Sequence, residues 1–105
     1  MARIDAYFQY LIESGGSDLH LSEGGPPKVR IHGSITPIAD QPALAGEDFK
    51  DLLSEICDKE AFASYLETGD LDFAYEMNED SRFRCNYLKQ KNGLAAVFRL
   101  IPTEI

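Results

Sequence analysis

Arg82, Arg84 and Arg99 are the side chains of this sequence best suited to binding an anion. They lie in the segment RFRCNYLKQKNGLAAVFRL, residues 82–100, whose two arms alternate apolar and polar residues as strands do. A guanidinium group is planar, stays charged and can donate two parallel hydrogen bonds to a phosphate or a carboxylate. Because arginine does not release its proton at neutral pH, these residues would bind charge and would not act as general bases.

The dipeptide Asn92-Gly93 is the strongest hairpin signal in this segment, and it predicts a register for the two strands. With this dipeptide at the centre of the turn, Arg99 lies opposite Asn86 and is the diagonal neighbour of Arg84. The alternation predicts one mixed face, which contains Arg84, Asn86, Leu88, Val97, Arg99 and Ile101. The other face is apolar and is the predicted core face; its residues are Phe83, Cys85, Tyr87, Ala96, Phe98 and Leu100.

Two neighbouring arginines gain nothing from each other, so a negatively charged group is expected near them. Diagonal neighbours on a strand pair are about 7–8 Å apart, within reach of long side chains. One interpretation is a ladder of salt bridges to Asp70, Asp72 and Glu76 on the preceding strand. The other is a phosphate or a carboxylate of another domain docked on the guanidinium groups. The residues alone leave both interpretations open.

No phosphate-binding loop is present in the sequence itself. Neither of its glycine-rich stretches, SGGSD and EGGPP, fits GxxxxGK[ST], and GxGxxG is absent as well. Any phosphate that the arginines contact is therefore expected to be held mainly by residues outside this chain.

A second polar cluster is predicted where the two strand patterns SDLHLS and KVRIHG pair. Asp18, His20, Arg30 and His32 would share one face of that pair. Histidine and aspartate are suitable zinc ligands. Arg30 would repel a cation, however, so a polar interaction or packing surface is favoured and no metal site is predicted.

The composition is that of one soluble globular domain. Ten Lys and Arg residues against eighteen Asp and Glu residues give a net charge of −8, which disfavours binding to nucleic acid or to an anionic membrane surface. No apolar run approaches the roughly 20 residues of a membrane-spanning helix. Cys57 and Cys85 lack the spacing of a zinc site or a redox motif and are predicted to be free thiols, which favours a cytoplasmic location.

The order of elements predicts an α+β fold with two layers. Apolar residues at helical spacing predict helices around residues 4–12, 49–56 and 59–66, with Asp58 as a candidate N-cap. Alternating segments predict five to six mostly antiparallel strands, with a possible edge strand at Pro37. The helices are expected to pack on one face of the sheet.

The patterns SDLHLS…GGPP..R..G, RFR.N and G…VFR.IP together resemble one family. They are similar to the N-terminal domain of PilT-type ATPases, the motors that retract type IV pili in twitching motility, within the secretion-ATPase superfamily. The resemblance covers essentially the whole chain, residues 1–105, and implies a PAS-like fold. It does not distinguish the main retraction motor from its accessory paralogue or from a related secretion ATPase.

The resemblance implies that this domain precedes a RecA-like ATPase domain, which would bind ATP and Mg and would lie outside these residues. Six such subunits would form a ring in the cytoplasm, at the inner-membrane base of a bacterial pilus. The expected partners are the chain's own ATPase domain, neighbouring subunits and the platform protein of the pilus base. No nucleic acid, no membrane insertion and no catalytic residue is expected in this chain. Arg84 and Arg99, together with Arg82, would reach the nucleotide at the domain interface.

Two other functions are compatible with the residues: a free-standing PAS-like sensor of a small ligand, and an adaptor that binds only protein. A deep apolar pocket between sheet and helices would favour the sensor. A filled core with apolar residues exposed around Leu88, Val97 and Ile101 would favour an interface.

Overall fold

The computed structural model describes residues 2–91 and 93–102, and within them the chain forms three helices and six strands. The helices are α1 (Ile4–Glu13), α2 (Gly46–Ser54) and α3 (Lys59–Thr68). The strands are β1 (Asp18–Ser22), β2 (Lys28–Ile31), β3 (Ser34–Pro37), β4 (Asp70–Asn78), β5 (Ser81–Gln90) and β6 (Gly93–Ile101). The predicted α+β class and the number of strands are confirmed.

The ends of the third helix follow from local side-chain and backbone chemistry. The carboxylate of Asp58 accepts a hydrogen bond from the backbone N–H of Ala61 at 2.7 Å, which confirms Asp58 as the N-cap of α3. Gly69 ends the helix in the left-handed conformation with φ 86°, which glycine adopts without a steric cost. The chain then enters β4 directly at Asp70.

All six strands form one antiparallel sheet in the order β3-β2-β1-β6-β5-β4. The strand that contains Pro37 lies at an edge, as predicted, where its missing N–H interrupts no interior ladder. The central contact is between β1 and β6, which lie at opposite ends of the chain. This pairing joins the N-terminal and C-terminal halves of the sheet.

The three helices cover one face of the sheet and fill the space beneath them with aromatic rings. Phe8 of α1 stacks on Phe83 with ring centroids 4.1 Å apart and meets the edge of Phe98 at 5.2 Å. Tyr65 of α3 contacts Tyr87 edge-on at 5.4 Å. These rings are fully buried, so the predicted core face of β5 and β6 is confirmed.

The predicted register of β5 and β6 is wrong by two residues. Gln90 pairs with Gly93, so Arg84 lies directly opposite Arg99 and is not its diagonal neighbour. Gly93 is a strand residue, and the predicted turn residue Asn92 lies outside the described part of the chain. A shift of two residues preserves the alternation of the strands, which is why the two predicted faces remain correct.

A close approach of Glu23 explains why residue 93 is a glycine within the strand. The Glu23 carboxylate accepts a hydrogen bond from the backbone N–H of Leu94 at 3.1 Å. A Cβ atom on Gly93 would lie only 2.8 Å from that carboxylate, and the Gly93 φ is 134°. The glycine therefore serves the contact between β6 and the loop after β1.

Cys57 and Cys85 are both free thiols, as predicted. Burial raises the pKa of the Cys85 thiol to about 12, so it remains protonated at neutral pH. No helix within residues 2–91 and 93–102 is both long and apolar enough to cross a bilayer.

Candidate functional site

The face of the sheet opposite the helices contains a row of charged residues that crosses its four central strands. Arg30 of β2 pairs with Asp18 of β1, Asp18 pairs with Arg99 of β6, and Arg99 pairs with Arg84 of β5. Each residue of the row is the direct cross-strand partner of the next, so all four side chains project from the same face. The row holds three guanidinium groups and one carboxylate.

The two neighbouring arginines are held by different carboxylates on opposite sides. Arg84 Nη2 lies 3.3 Å from Asp72 Oδ2 on β4, and Arg99 Nη2 lies 3.6 Å from Asp18 Oδ2 on β1. Both arginine side chains are 71% exposed. The Arg84–Asp72 pair is exposed on both sides and contributes at most about 1 kcal/mol. In the Arg99–Asp18 pair only the arginine is exposed, so both guanidinium groups face solvent.

An open depression of about 430 Å³ lies between the two arginines. Its lining residues are Asp72, Arg84, Asn86, Val97 and Arg99. Two guanidinium groups and one amide therefore offer hydrogen-bond donors to whatever occupies it. This combination suits an oxyanion such as a phosphate, because arginine donors in pairs match its geometry.

Asp18 and His20 form a partly buried polar pair beside Arg99. The Asp18 side chain is only 8% exposed, and its Oδ2 lies 4.0 Å from His20 Nε2. Among the described residues, His20 Nε2 is the buried side-chain polar atom that has no hydrogen-bond partner. Burial lowers the pKa of His20; Asp18 opposes this shift, whereas Arg30 and Lys28 add to it. The imidazole is therefore neutral at pH 7.

The second predicted cluster is only partly assembled. Asp18, His20 and Arg30 share the open face as expected, but His32 lies beyond the end of β2 at a position with φ 50°. Within residues 2–91 and 93–102 no three metal-ligating side chains come together in a way that could hold a metal ion. Asp18, His20 and Arg30 are neighbours on the open face, where they form part of its polar surface.

The salt-bridge interpretation of the arginines is correct for one predicted partner. Asp72 pairs with Arg84, as anticipated. Glu76 lies opposite Arg82, two residues away from Arg84 along β5. Arg82 shares the open face and is exposed, but it does not line the depression between the other two arginines.

Asp18 was not anticipated as the partner of Arg99. The two residues are separated by almost the whole chain, and their contact depends on the pairing of β1 with β6. A sequence pattern identifies strands and their faces, but it carries little information about which distant strands become neighbours. The only sequence signal was the placement of Asp18 on a polar face.

Comparisons with individual proteins find relatives of this chain, although no protein-family model matches it. The type IV pilus retraction ATPase PilT of Pseudomonas aeruginosa is 38% identical over 96 residues, which cover 89% of this chain and 27% of that protein. A twitching motility protein of Neisseria gonorrhoeae is 29% identical over 79 residues, which cover 75% of this chain and 21% of that protein.

Solved structures with the same fold belong to ATPases. The pilus retraction motor PilT, in a crystal structure with bound ADP, superimposes with a TM-score of 0.84 at 34% identity, over 100% of this chain and 30% of that one. The ATPase DotB of Legionella pneumophila gives a TM-score of 0.80 at 21% identity, which shows the fold alone. The chain spans less than a third of the length of each relative.

Proposed function

Because this chain belongs to the family of N-terminal domains of PilT-type pilus motor ATPases, we propose that it is the regulatory and assembly domain of a hexameric, ATP-driven motor that retracts type IV pili. The observation that supports this role most strongly is the pair of exposed guanidinium groups, Arg84 and Arg99, on either side of an open depression. In this proposal the two arginines contact the phosphates of a nucleotide that is bound mainly by a second domain.

The absence of a phosphate-binding loop from the sequence supports a site shared with another domain. Two arginines can contact phosphate oxygens, but they provide neither a backbone cradle nor the oxygen ligands that Mg²⁺ requires. A RecA-like ATPase domain C-terminal to this chain would supply both. A relative of this chain is known in complex with ADP, which is consistent with nucleotide binding by the longer protein.

Closure of the two domains around the nucleotide would give the arginines a regulatory role. Arginines that reach a bound nucleotide from a neighbouring domain stabilise the charge that develops during phosphoryl transfer. Binding of ATP would draw this domain toward the ATPase domain, and hydrolysis would release it, as in other hinge closures around a ligand. Arg82, on the same face, would contribute at the margin of this interface.

The packing of the interior argues against a sensor that binds its ligand between sheet and helices. Phe8, Tyr65, Phe83, Tyr87 and Phe98 fill that space and are fully buried. The open face instead exposes Ile101 and partly exposes Leu88 and Val97 around the arginines. An apolar rim around a charged centre is suited to contact with another protein domain.

We place the assembled motor in the cytoplasm at the base of the pilus, with the platform protein of the pilus machine as an expected partner. The ring would form through contacts between this domain and the ATPase domains of its own and neighbouring subunits.

Steady-state ATPase measurements on the full-length protein test this function. Arg84→Ala and Arg99→Ala should each lower the hydrolysis rate at saturating ATP by about tenfold or more, since such arginines are worth large factors in related phosphoryl-transfer sites. Lys28→Ala is the control, because it removes a positive charge from the same face at an exposed position on β2. ATP hydrolysis rates equal to wild type in both arginine variants would contradict the proposed contact of Arg84 and Arg99 with the nucleotide.

The isolated chain should neither hydrolyse ATP nor bind it tightly. Its two exposed arginines are only part of the expected site, so calorimetry on residues 1–105 should give no micromolar affinity for ATP. A micromolar dissociation constant for this chain alone would mean that the site is not shared with another domain.

A further inference from the structure

Asp18 and Asp72 compete with any anion for the two arginines of the open face. Arg84 and Arg99 are direct cross-strand partners, an arrangement in which like charges destabilise a sheet. Each guanidinium group contacts a carboxylate on the side away from the other arginine. Arg84 contacts Asp72 on β4, and Arg99 contacts Asp18 on β1. The carboxylates thus draw the two guanidinium groups apart and partly neutralise them.

The two carboxylates differ in how freely they can move. The Asp72 side chain is 49% exposed and lines the depression, so it can turn into solvent when an anion approaches Arg84. The Asp18 side chain is only 8% exposed and lies between the neighbouring strands β2 and β6. The Arg99 side chain, at 71% exposure, is therefore less confined by its surroundings than the Asp18 side chain.

We propose that Asp18 and Asp72 are specificity-determining residues. By pairing with Arg99 and Arg84, they prevent monovalent anions from binding there and allow only a multiply charged oxyanion to bind. A monovalent anion such as acetate offers each arginine no more than its own aspartate already does. A phosphate group that contacts both guanidinium groups at once offers more charge and more acceptors than either aspartate. This inference rests on the proposed function only in taking the arginine pair as an oxyanion site.

The selectivity can be measured on this chain with two simple anions. Pyrophosphate and acetate are titrated separately at constant ionic strength, and the NMR signals of the Arg84 and Arg99 side chains are followed. In the wild-type chain, pyrophosphate should shift both arginine signals together, and acetate should shift neither. Asp18→Asn should bind pyrophosphate about three- to fivefold more tightly, since the loss of an ion pair of this kind is worth up to such a factor.

The decisive readout is acetate. Asp18→Asn should bind acetate at Arg99, and Asp72→Asn should bind it at Arg84, because each variant leaves one guanidinium group without its internal partner. Asp70→Asn is the matched control, since Asp70 is exposed on the same face of β4 and contacts neither arginine in a described ion pair. It removes the same charge and should change both affinities by less than about twofold.

Absence of acetate binding in both Asp18→Asn and Asp72→Asn would overturn the inference, and so would either of two further results. The first is weaker or unchanged pyrophosphate binding in Asp18→Asn, which would mean that Asp18 supports the site and does not compete with the anion. The second is an equal gain in Asp70→Asn, which would assign the effect to the net charge of the domain. None of these results depends on ATP hydrolysis, so the inference and the proposed motor function can fail separately.

Discussion

Arg84 and Arg99 lie directly opposite each other on β5 and β6, yet each forms its ion pair with a carboxylate on the strand farther out. The depression between them is open, and their guanidinium groups are largely exposed. An acidic domain thus carries two exposed, neighbouring guanidinium groups at the centre of the sheet face opposite its helices.

The histidine beside this site should titrate below the ordinary range. Burial lowers the pKa of His20, and Asp18 partly offsets the shift by stabilising the imidazolium, whereas Arg30 and Lys28 oppose protonation. NMR titration should therefore place the pKa of His20 below 6.5 in the wild-type chain. It should fall further in Asp18→Asn, because the favourable carboxylate is lost. A higher pKa in that variant would contradict the arrangement of these charges.

The same group makes stability depend on pH in a definite direction. Since the folded-state pKa of His20 lies below its unfolded value, the contribution of neutral His20 is fully present above the unfolded pKa of about 6.5. It is lost as the pH falls through the lowered pKa. The free energy of unfolding should thus fall less steeply below pH 6.5 in His20→Gln than in wild type, as measured by urea titration at several pH values.

The buried hydroxyl group of Tyr87 on β5 forms a hydrogen bond with α2. Tyr87 Oη donates a hydrogen bond to the backbone carbonyl of Leu53 at 2.7 Å, and Tyr87 is fully buried. Tyr87→Phe leaves that carbonyl without this donor, so it should cost about 1–3 kcal/mol of unfolding free energy. Tyr10→Phe removes a hydroxyl group from a residue that is 38% exposed and is the control. Equal losses in the two variants would contradict a special role for the buried contact.

Gly93, the first residue of β6, should tolerate substitution less well than Gly33, which lies between β2 and β3. Gly93→Ala forces a side chain onto a φ of 134° and places its Cβ against the Glu23 carboxylate. It should destabilise the fold by about 1–3 kcal/mol. Gly33→Ala has a similar backbone requirement, with φ 82°, but its Cβ would meet open space. Thermal unfolding should rank Gly93→Ala as the more damaging change, and the reverse order would mean that the Glu23 contact is unimportant.

Local patterns predicted most of the fold because their physical causes are local. Helical spacing and the cap at Asp58 identified α3, and alternation assigned Arg84 and Arg99 to one face of β5 and β6. The register of that hairpin was wrong because Asn-Gly was assigned to the turn, whereas the contact with Glu23 explains the glycine in the strand. That contact comes from a residue 71 positions away along the chain.

The ion-pair partners of the two arginines were harder to predict than the sheet face on which the arginines lie. The partner of Arg84 was anticipated because β4 and β5 are consecutive strands, which commonly pair. The partner of Arg99 was not, because Asp18 reaches it through the pairing of the first and last strands. Such long-range pairing is set by how the two halves of the sheet meet, and no short motif records it.

The most direct test of the account is the affinity of the full-length protein for a non-hydrolysable ATP analogue. Arg84→Ala and Arg99→Ala should each weaken binding by about ten- to a hundredfold, the value of a hydrogen bond between charged groups. Lys28→Ala should bind as wild type does. If both arginine variants bind the analogue with wild-type affinity, the arginines do not contact the nucleotide. Their role would then be limited to the ion pairs with Asp72 and Asp18 on the sheet.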